Sequence, residues 1–277
     1  MASACEGTGL IPIAIDGKSV RGSRKASSTA CLHLVSAWAT QNRLTVGQVS
    51  GAEVSKEIAV IPELLRALDL AGAIVTLDAA ACQKDVAAQI LAQHGDYLFT
   101  VKGNQRKLQK AIADKFVEGA ASIVDAHETV STRHRRVKNR TVSVSDDLEG
   151  LPSGWPGVKS LVQVVRENEV NGVVTTSTHY SISSYRGTAA EMGNLVRGHW
   201  GIENDLHWLL DVVFREDGSR KREGNAGANL AMVRKVALSL LRRASGKGST
   251  VSKRLKAGRE DNDLIEVLQG IPSHIVR

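Results

Sequence analysis

Residues 71–103 read AGAIVTLDAAACQKDVAAQILAQHGDYLFTVKG. Past Gly72 an apolar run stops on an acid, Asp78; QKDVAAQILAQHG follows with helical periodicity and ends on Gly95; YLFTV then returns as a second apolar run. Strand, helix and strand in that order predict two parallel strands joined by a crossover helix.

Toward the N-terminus, IPIAIDGKSVRGS (11–23) is a short apolar strand that breaks at another acid, Asp16. LHLVSAWAT (32–40) and RLTVGQVSG (43–51), separated by Gln41 and Asn42, complete an antiparallel meander of three strands. Ser55 is placed to cap a helix through about residue 70, with Ile58, Ile61, Leu64, Leu65 and Leu68 on one face. After the parallel pair, QRKLQKAIADKF reads as one more helix.

From about 120 to 187 the texture is β-rich and basic. Thr188-Ala-Ala-Glu191 then has the form of a capping box and opens a helical pattern reaching about Phe214. A last amphipathic helix runs from about 228 to 244, and the Gly/Ser/Lys-rich stretch 245–260 reads as loose chain. The expected fold class is α/β, a mixed sheet of three antiparallel strands plus parallel ones, flanked by helices. The expected organisation is a disordered start at 1–10, a core from 11–119 and 188–244, a basic β-rich insertion at 120–187, and a basic tail with a short helix at 245–277.

The chain of 277 residues has 36 Lys+Arg against 29 Asp+Glu, a net charge of +7. That balance favours a polyanionic partner without requiring one. RHRRVKNR (133–140) holds Arg133, Arg135, Arg136, Lys138 and Arg140 with no acid, and smaller basic clusters recur toward the end of the chain. One such cluster is as readily a solvated face as a phosphate site; the repetition tilts the reading toward nucleic acid. Cys5, Cys31 and Cys82 form no metal-type pair, and no apolar stretch approaches the roughly 18 residues of a membrane span. A soluble, cytoplasmic protein is expected.

Chemistry concentrates in the acids. In VRGHWGIENDLHWLLDVVFREDGSR (196–220), His199, Glu203, His207 and Asp211 recur every four residues along one predicted helix face. Such a row extends about 18 Å at 1.5 Å per residue, too far for one ion to bridge. Asp205 points away from Glu203 by about 200° and is a poor substitute. Asp16 and Asp78, by contrast, end strands that would be neighbours. A single such Asp is usually a turn residue; a pair invites a third carboxylate from the later helix. Converging carboxylates repel, and all-oxygen ligands suit Mg²⁺ or Mn²⁺, two of which can clamp the oxygens of a phosphodiester.

IAIDGKSVRGS, LHLVSAWA, IPELLRALDLAGAIVTLDAAACQ, YLFTVKGNQ, RGHWGIENDLHWLLDVVFREDGSR, GNAGANLAMVRKVALSLLRR and KRLKAGREDND together resemble the H-repeat-associated (ISAs-type) insertion-sequence transposases of bacteria, over roughly 11–270. These are DDE transposases with an RNase H-like core. The resemblance implies that Asp16, Asp78 and Glu203 are the catalytic, metal-binding carboxylates, that two Mg²⁺ (or Mn²⁺) ions are the cofactors, and that the reaction is DNA cleavage and strand transfer. It implies DNA partners, transposon ends and target, bound by a homodimer or higher oligomer, with no membrane and with nucleoid association when acting. Val196 and His199 stand where the wider group carries the Tyr and Arg of its Tyr-x-x-Arg-x-x-x-Glu signature. Two departures stand out: Asp78-Ala-Ala-Ala-Cys-Gln83 lacks the family's glycine, and HRRVKNR has Arg135 and Lys138 in place of Gly and Glu. The expectation is also of a chain short of the family's N-terminal helical segment.

Lys102 and Asn104 follow a strand and are candidates to reach DNA phosphate, with Asn104 equally readable as a helix cap. His199 joins the candidate DNA contacts; His207 and Asp211 are candidates to support Glu203 from behind, or simply to hydrogen-bond within the core. Trp200 and Trp208 read as core packing. Besides a transposase, the residues admit a nuclease on the same core that cuts without joining, and a DNA-binding remnant without turnover.

Overall fold

The strand Ile11–Val20 (β1) organises the molecule because it pairs on both edges, antiparallel to Leu32–Ala39 (β2) and parallel to Ala73–Leu77 (β4). The structure, a computed structural model, describes residues 9–24, 31–51, 57–118, 122–133 and 136–269. β2 continues antiparallel into Leu44–Gly51 (β3), and β4 is parallel to Asp96–Val101 (β5). Four long antiparallel strands follow: Ile123–Arg133 (β6), Arg136–Ser145 (β7), Ser160–Val170 (β8) and Val173–Ser183 (β9). They do not form a separate sheet. β9 pairs antiparallel with β5, giving one nine-stranded sheet in the order β3-β2-β1-β4-β5-β9-β8-β7-β6. Its first five strands have the order and directions of an RNase H-like core.

Strands in the middle of such a sheet are covered on both faces, which explains why AIVTL is apolar apart from Thr76 and buried at every position. Alternation splits its side chains. Ile13, Ile15, Val75, Leu77, Tyr97 and Phe99 face a core with Glu57–Arg66 (α1), Lys84–Ala92 (α2) and Arg106–Glu118 (α3). Ile74 and Leu98 face Ala189–Gly201 (α4), whose Met192, Leu195 and Val196 also cover Val142, Val144, Val162 and Val164 of β7 and β8. Ala14 and Trp38 face Trp208–Phe214 (α5) and Ala226–Arg243 (α6) through Leu210 and Leu238.

Several expectations meet corrections. β1 does not stop at Asp16: β4 ends at Leu77, but β2 keeps pairing with β1 as far as Val20↔Leu32, so Asp16 lies mid-strand opposite Ser36. Helix α1 spans Glu57–Arg66, and its expected cap, Ser55, lies outside the described residues. The expected disordered start falls mostly on residues 1–8, also outside them. The stretch read as loose chain contains Thr250–Ala257 (α7), capped by the Ser249 side chain, and Asp261–Gln269 (α8) follows. Leu241 and Ala244 at the end of α6 pack with Val267 of α8 and anchor this tail. Among the described residues no helix is long and apolar enough to cross a membrane.

The capping box forms as expected. The Thr188 side chain accepts from Glu191 N at 3.3 Å, and the Glu191 carboxylate accepts from Thr188 N at 2.8 Å. Asp125 of β6 accepts from Ala189 N at 2.7 Å, so the first turn of α4 is held by three polar contacts. Thr188→Ala should lower unfolding stability by about 1 kcal/mol in urea melts, the usual worth of an N-cap; an unchanged midpoint would count against this account of the cap.

Candidate active site

The last parallel pair between β1 and β4 is Ile15↔Leu77. Asp16 and Asp78 are the next residues on the two strands, side by side at the carboxyl end of the parallel ladder, where open α/β sheets bind ligands. Alternation puts both on the face of Ala14 and Thr76, the face covered by α4 and α5. Past Asp78 the chain turns into a short 3₁₀ segment, Ala79–Ala81. The Asn104 amide donates to Ala79 O at 2.6 Å and the Gln105 amide to Cys82 O at 3.1 Å. Asn104 is therefore not a helix cap; it fixes the loop that follows Asp78.

The third acid arrives on an irregular helix. Between α4 and α5, Ile202–His207 is π-helical, an insertion frequent at functional sites because it re-aims side chains within a helix. Constant 100° spacing fails across it, and the four-residue row divides. His199 is buried, with Nδ1 3.0 Å from Thr76 Oγ1. Glu203 is exposed and lines a cavity of about 230 Å³ with Asp16, Asp78, Lys102, His199, Trp200 and Ile202. His207 turns inward beneath Asp16, Nδ1 to Oδ2 3.5 Å. Asp211 pairs with Lys18. Asp205 leaves the cavity toward Arg242, 3.8 Å away.

Positive charge surrounds these acids. Lys102 Nζ lies 3.0 and 3.2 Å from the two oxygens of Asp78. Burial tends to raise the Asp78 pKa, but the hydrogen bond from Lys102, the Ala79 N–H and the Lys102 charge together outweigh it, and the carboxyl sits below its usual value. Below the cavity, Lys18 Nζ donates to His207 O at 3.1 Å and lies 3.6 Å from Glu216, a fully buried carboxylate. Burial raises the Glu216 pKa against the pull of Lys235 and Lys18. Lys235 of α6, also buried, donates to Ser36 Oγ at 2.7 Å and to Gln48, and burial pushes it down to about 8.

The three carboxylates offer only oxygen donors, which suits a hard divalent cation. Among the described residues no three His, Cys, Asp or Glu side chains are already gathered closely enough to hold an ion. Asp78 is engaged by Lys102 instead, so the set fits such a cation by chemistry and shared cavity, with Lys102 supplying the compensating charge meanwhile. The strand-end position of Lys102 marked it in the sequence as a candidate for DNA phosphate; its pairing with Asp78 comes from β5 lying beside β4. Trp200 and Trp208 are not core residues: they are 36% and 58% exposed, Trp200 at the cavity wall. Of the candidate DNA contacts, Arg135 lies outside the described residues, as do the side chains of Arg133 and Arg136; Lys138 and Arg140 lie on β7.

A profile of the transposase DDE domain matches residues 8–240. The chain is similar to the candidate transposase YncI of Escherichia coli O157:H7, 39% identical over 92% of this chain and 68% of that one. It is likewise similar to the protein YbfL and to YhhI, an H repeat-associated candidate transposase, both of Escherichia coli K12; each is 38% identical over 93% of this chain and 71% of the relative. A piggyBac transposase synaptic complex with hairpin DNA overlays with a TM-score of 0.48 at 11% identity, over 95% of this chain and 58% of that one, too distant a likeness to add to the fold assignment.

Burial holds His199 and His207 neutral, pushing them down to about 4 and about 3 from 6.5. A histidine with a depressed folded pKa takes up its proton more readily in the unfolded chain. Its stabilising contribution is complete above 6.5 and is lost as pH falls from there toward the folded values. Thermal midpoints should therefore drop between pH 6.5 and 4, and less steeply in His207→Gln; a flat profile would contradict buried neutral rings.

Proposed function

The chain belongs to the transposase DDE domain family, and from that premise we propose that it cuts and joins DNA with Asp16, Asp78 and Glu203 as its catalytic carboxylates. The observation that carries the assignment is their common cavity: two acids level with each other on adjacent parallel strands, and the third delivered above them by the π turn. Residues 11–119 and 188–244 form the catalytic core in this reading, 120–187 an insertion that widens its sheet, and 245–277 a basic tail.

The family implies dependence on a divalent cation. Asp16, Asp78 and Glu203 would hold two Mg²⁺ or Mn²⁺ ions, which supply charge neutralisation to the attacking and leaving oxygens of the phosphodiester. The chain's own groups do the rest. Asp16 is steadied from below by His207, which stays neutral and so does not compete as a cation. Lys102 neutralises Asp78 and must release it, placing an ammonium where a DNA phosphate can take it up. His199, locked to Thr76, fixes the helix turn that precedes Glu203. In the first reaction a water oxygen bonds to phosphorus and the 3′ oxygen leaves with a proton as a free hydroxyl. In the second the oxygen of that hydroxyl bonds to a target phosphorus, the P–O bond to the target's own 3′ oxygen breaks, that oxygen leaves with the proton as a hydroxyl, and the strands are joined. A homodimer or larger assembly on DNA would hold two ends together for this step.

Asp78→Asn and Glu203→Gln should each reduce Mg²⁺-dependent nicking of a plasmid carrying the inverted repeats that flank the gene, by about 10²–10³-fold or more, with the thermal midpoint kept. Undiminished cutting by either variant would overturn the assignment. Cutting without joined products in the unaltered chain would leave a nuclease in its place.

A further inference from the structure

A second cavity, about 450 Å³, opens on the same face of the sheet, lined by Thr129, Ser131, Lys138, Arg140, Arg166 and Arg197 among others. Its geometry follows from register. Thr129 of β6 pairs with Arg140 of β7, Arg140 with Arg166 of β8, and Arg166 with Ser177 of β9, a single row across four strands. Two residues and four residues along β7, Val142 and Val144 of the same face pack under α4; the face turns basic where Arg140 passes the apolar contact with that helix. Arg197 overhangs from α4.

Arginines directly opposite each other on adjacent strands repel. Among the described residues no carboxylate lines this cavity. The Nε atoms of Arg140 and Arg166 are buried and find no hydrogen-bond partner among the described residues. Burial and the neighbouring guanidinium groups all act against their charge: Arg166 is held down to about 10 by burial, Arg140 and Arg197, and Arg140 is lowered by burial and Arg197. Three cations held together this way lack only an anion. The Arg166 guanidinium also lies 3.5 Å from the centroid of the Trp200 ring, and Trp200 is a wall of the carboxylate cavity. One indole therefore separates an acidic cavity, which repels a DNA strand, from a basic one that can hold it.

We propose that Arg140, Arg166 and Arg197 form a phosphodiester subsite, gripping the backbone of the DNA strand whose neighbouring linkage enters the carboxylate cavity. The proposal rests on the DNA-cutting reading above for the identity of that neighbour. Arginine forks match the two free oxygens of a phosphodiester, and Trp200 pins the Arg166 plane in place. Thr129 and Ser131 add hydroxyl donors at the rim.

The test is fluorescence anisotropy of the full chain with a labelled 20-base-pair duplex in EDTA, across a salt series, so that catalysis plays no part. Arg140→Gln and Arg166→Gln should each weaken binding by about tenfold and make the log–log salt dependence shallower by about one unit. Arg259→Gln, at an exposed site of the tail, should change affinity by less than about threefold, the background effect of one surface charge. Arg140→Gln should also raise the thermal midpoint, because it relieves repulsion. Binding losses no larger than for Arg259→Gln would overturn the subsite, as would a lowered midpoint in Arg140→Gln, which would mark a structural role. Failure of metal-dependent nicking with these binding losses intact would instead strike only the catalytic assignment.

Discussion

Two carboxylates at the same level of neighbouring parallel strands are the constraint around which this molecule is organised. Strands about 4.8 Å apart set the negative charge of both at one mouth of the sheet. The register Ile15↔Leu77 makes Asp16 and Asp78 unavoidable neighbours. The protein answers with positive or polarisable groups from four separate elements: Lys102 after β5, His207 from the π turn, and Lys18 and Lys235 beneath. A cation entering the cavity would do for Asp78 what Lys102 does already.

That compensation also explains why the lower layer is so polar. Lys18 lies two residues beyond Asp16 on the same face of β1, so its ammonium falls directly under the carboxylate cavity and must itself be balanced. Asp211 and Glu216 do so from α5 and the turn after it, and Lys235 balances Glu216 in turn. Removing Lys18 would strip charge compensation from Asp211 and from the fully buried Glu216 together, which is more destabilising than the loss of a surface pair. The packing of α5 and α6 on the sheet is thus tied electrostatically to the site above it.

The three-strand meander, the parallel pair and most other elements were legible because each rests on a local pattern: AIVTL and YLFTV as buried strands, Thr188 and Glu191 as a helix start. What depends on distant pairing was not. The extension of β1 through Asp16 to Val20 comes from β2, far along the chain, and nothing in DGKSV announces it. The joining of β9 to β5, which turns an apparent insertion into more sheet, is equally non-local. In the site, Asp78 could be found as an acid after an apolar strand, whereas Glu203 was singled out by resemblance. The π turn has no marker in IENDLH, so a constant helical phase could not show that Glu203 and His207 part company; Trp200 and Trp208, read as core from the usual habit of tryptophan, come out exposed. Lys102 was read as a hand for DNA, and its present partner, Asp78, follows only once β4 and β5 are known to be adjacent.

The arginine row shows how a sheet can carry charge that its own contacts do not neutralise. Arg140 and Arg166 sit within a β7–β8 ladder that runs unbroken from Arg136↔Val170 to Ser145↔Leu161. Each backbone bond in such a ladder is modest, but together they and the valine stripe beneath α4 fix the two strands whether or not the arginines repel. Repulsion can therefore be stored where the backbone cannot yield, and the Trp200 ring under Arg166 opposes it. A helix would have frayed under the same load, since its exposed turns open one at a time. Long antiparallel strands are thus a physically apt support for a basic groove placed beside an acidic one, and they give the segment from β6 to β9 a reason to be sheet rather than loop.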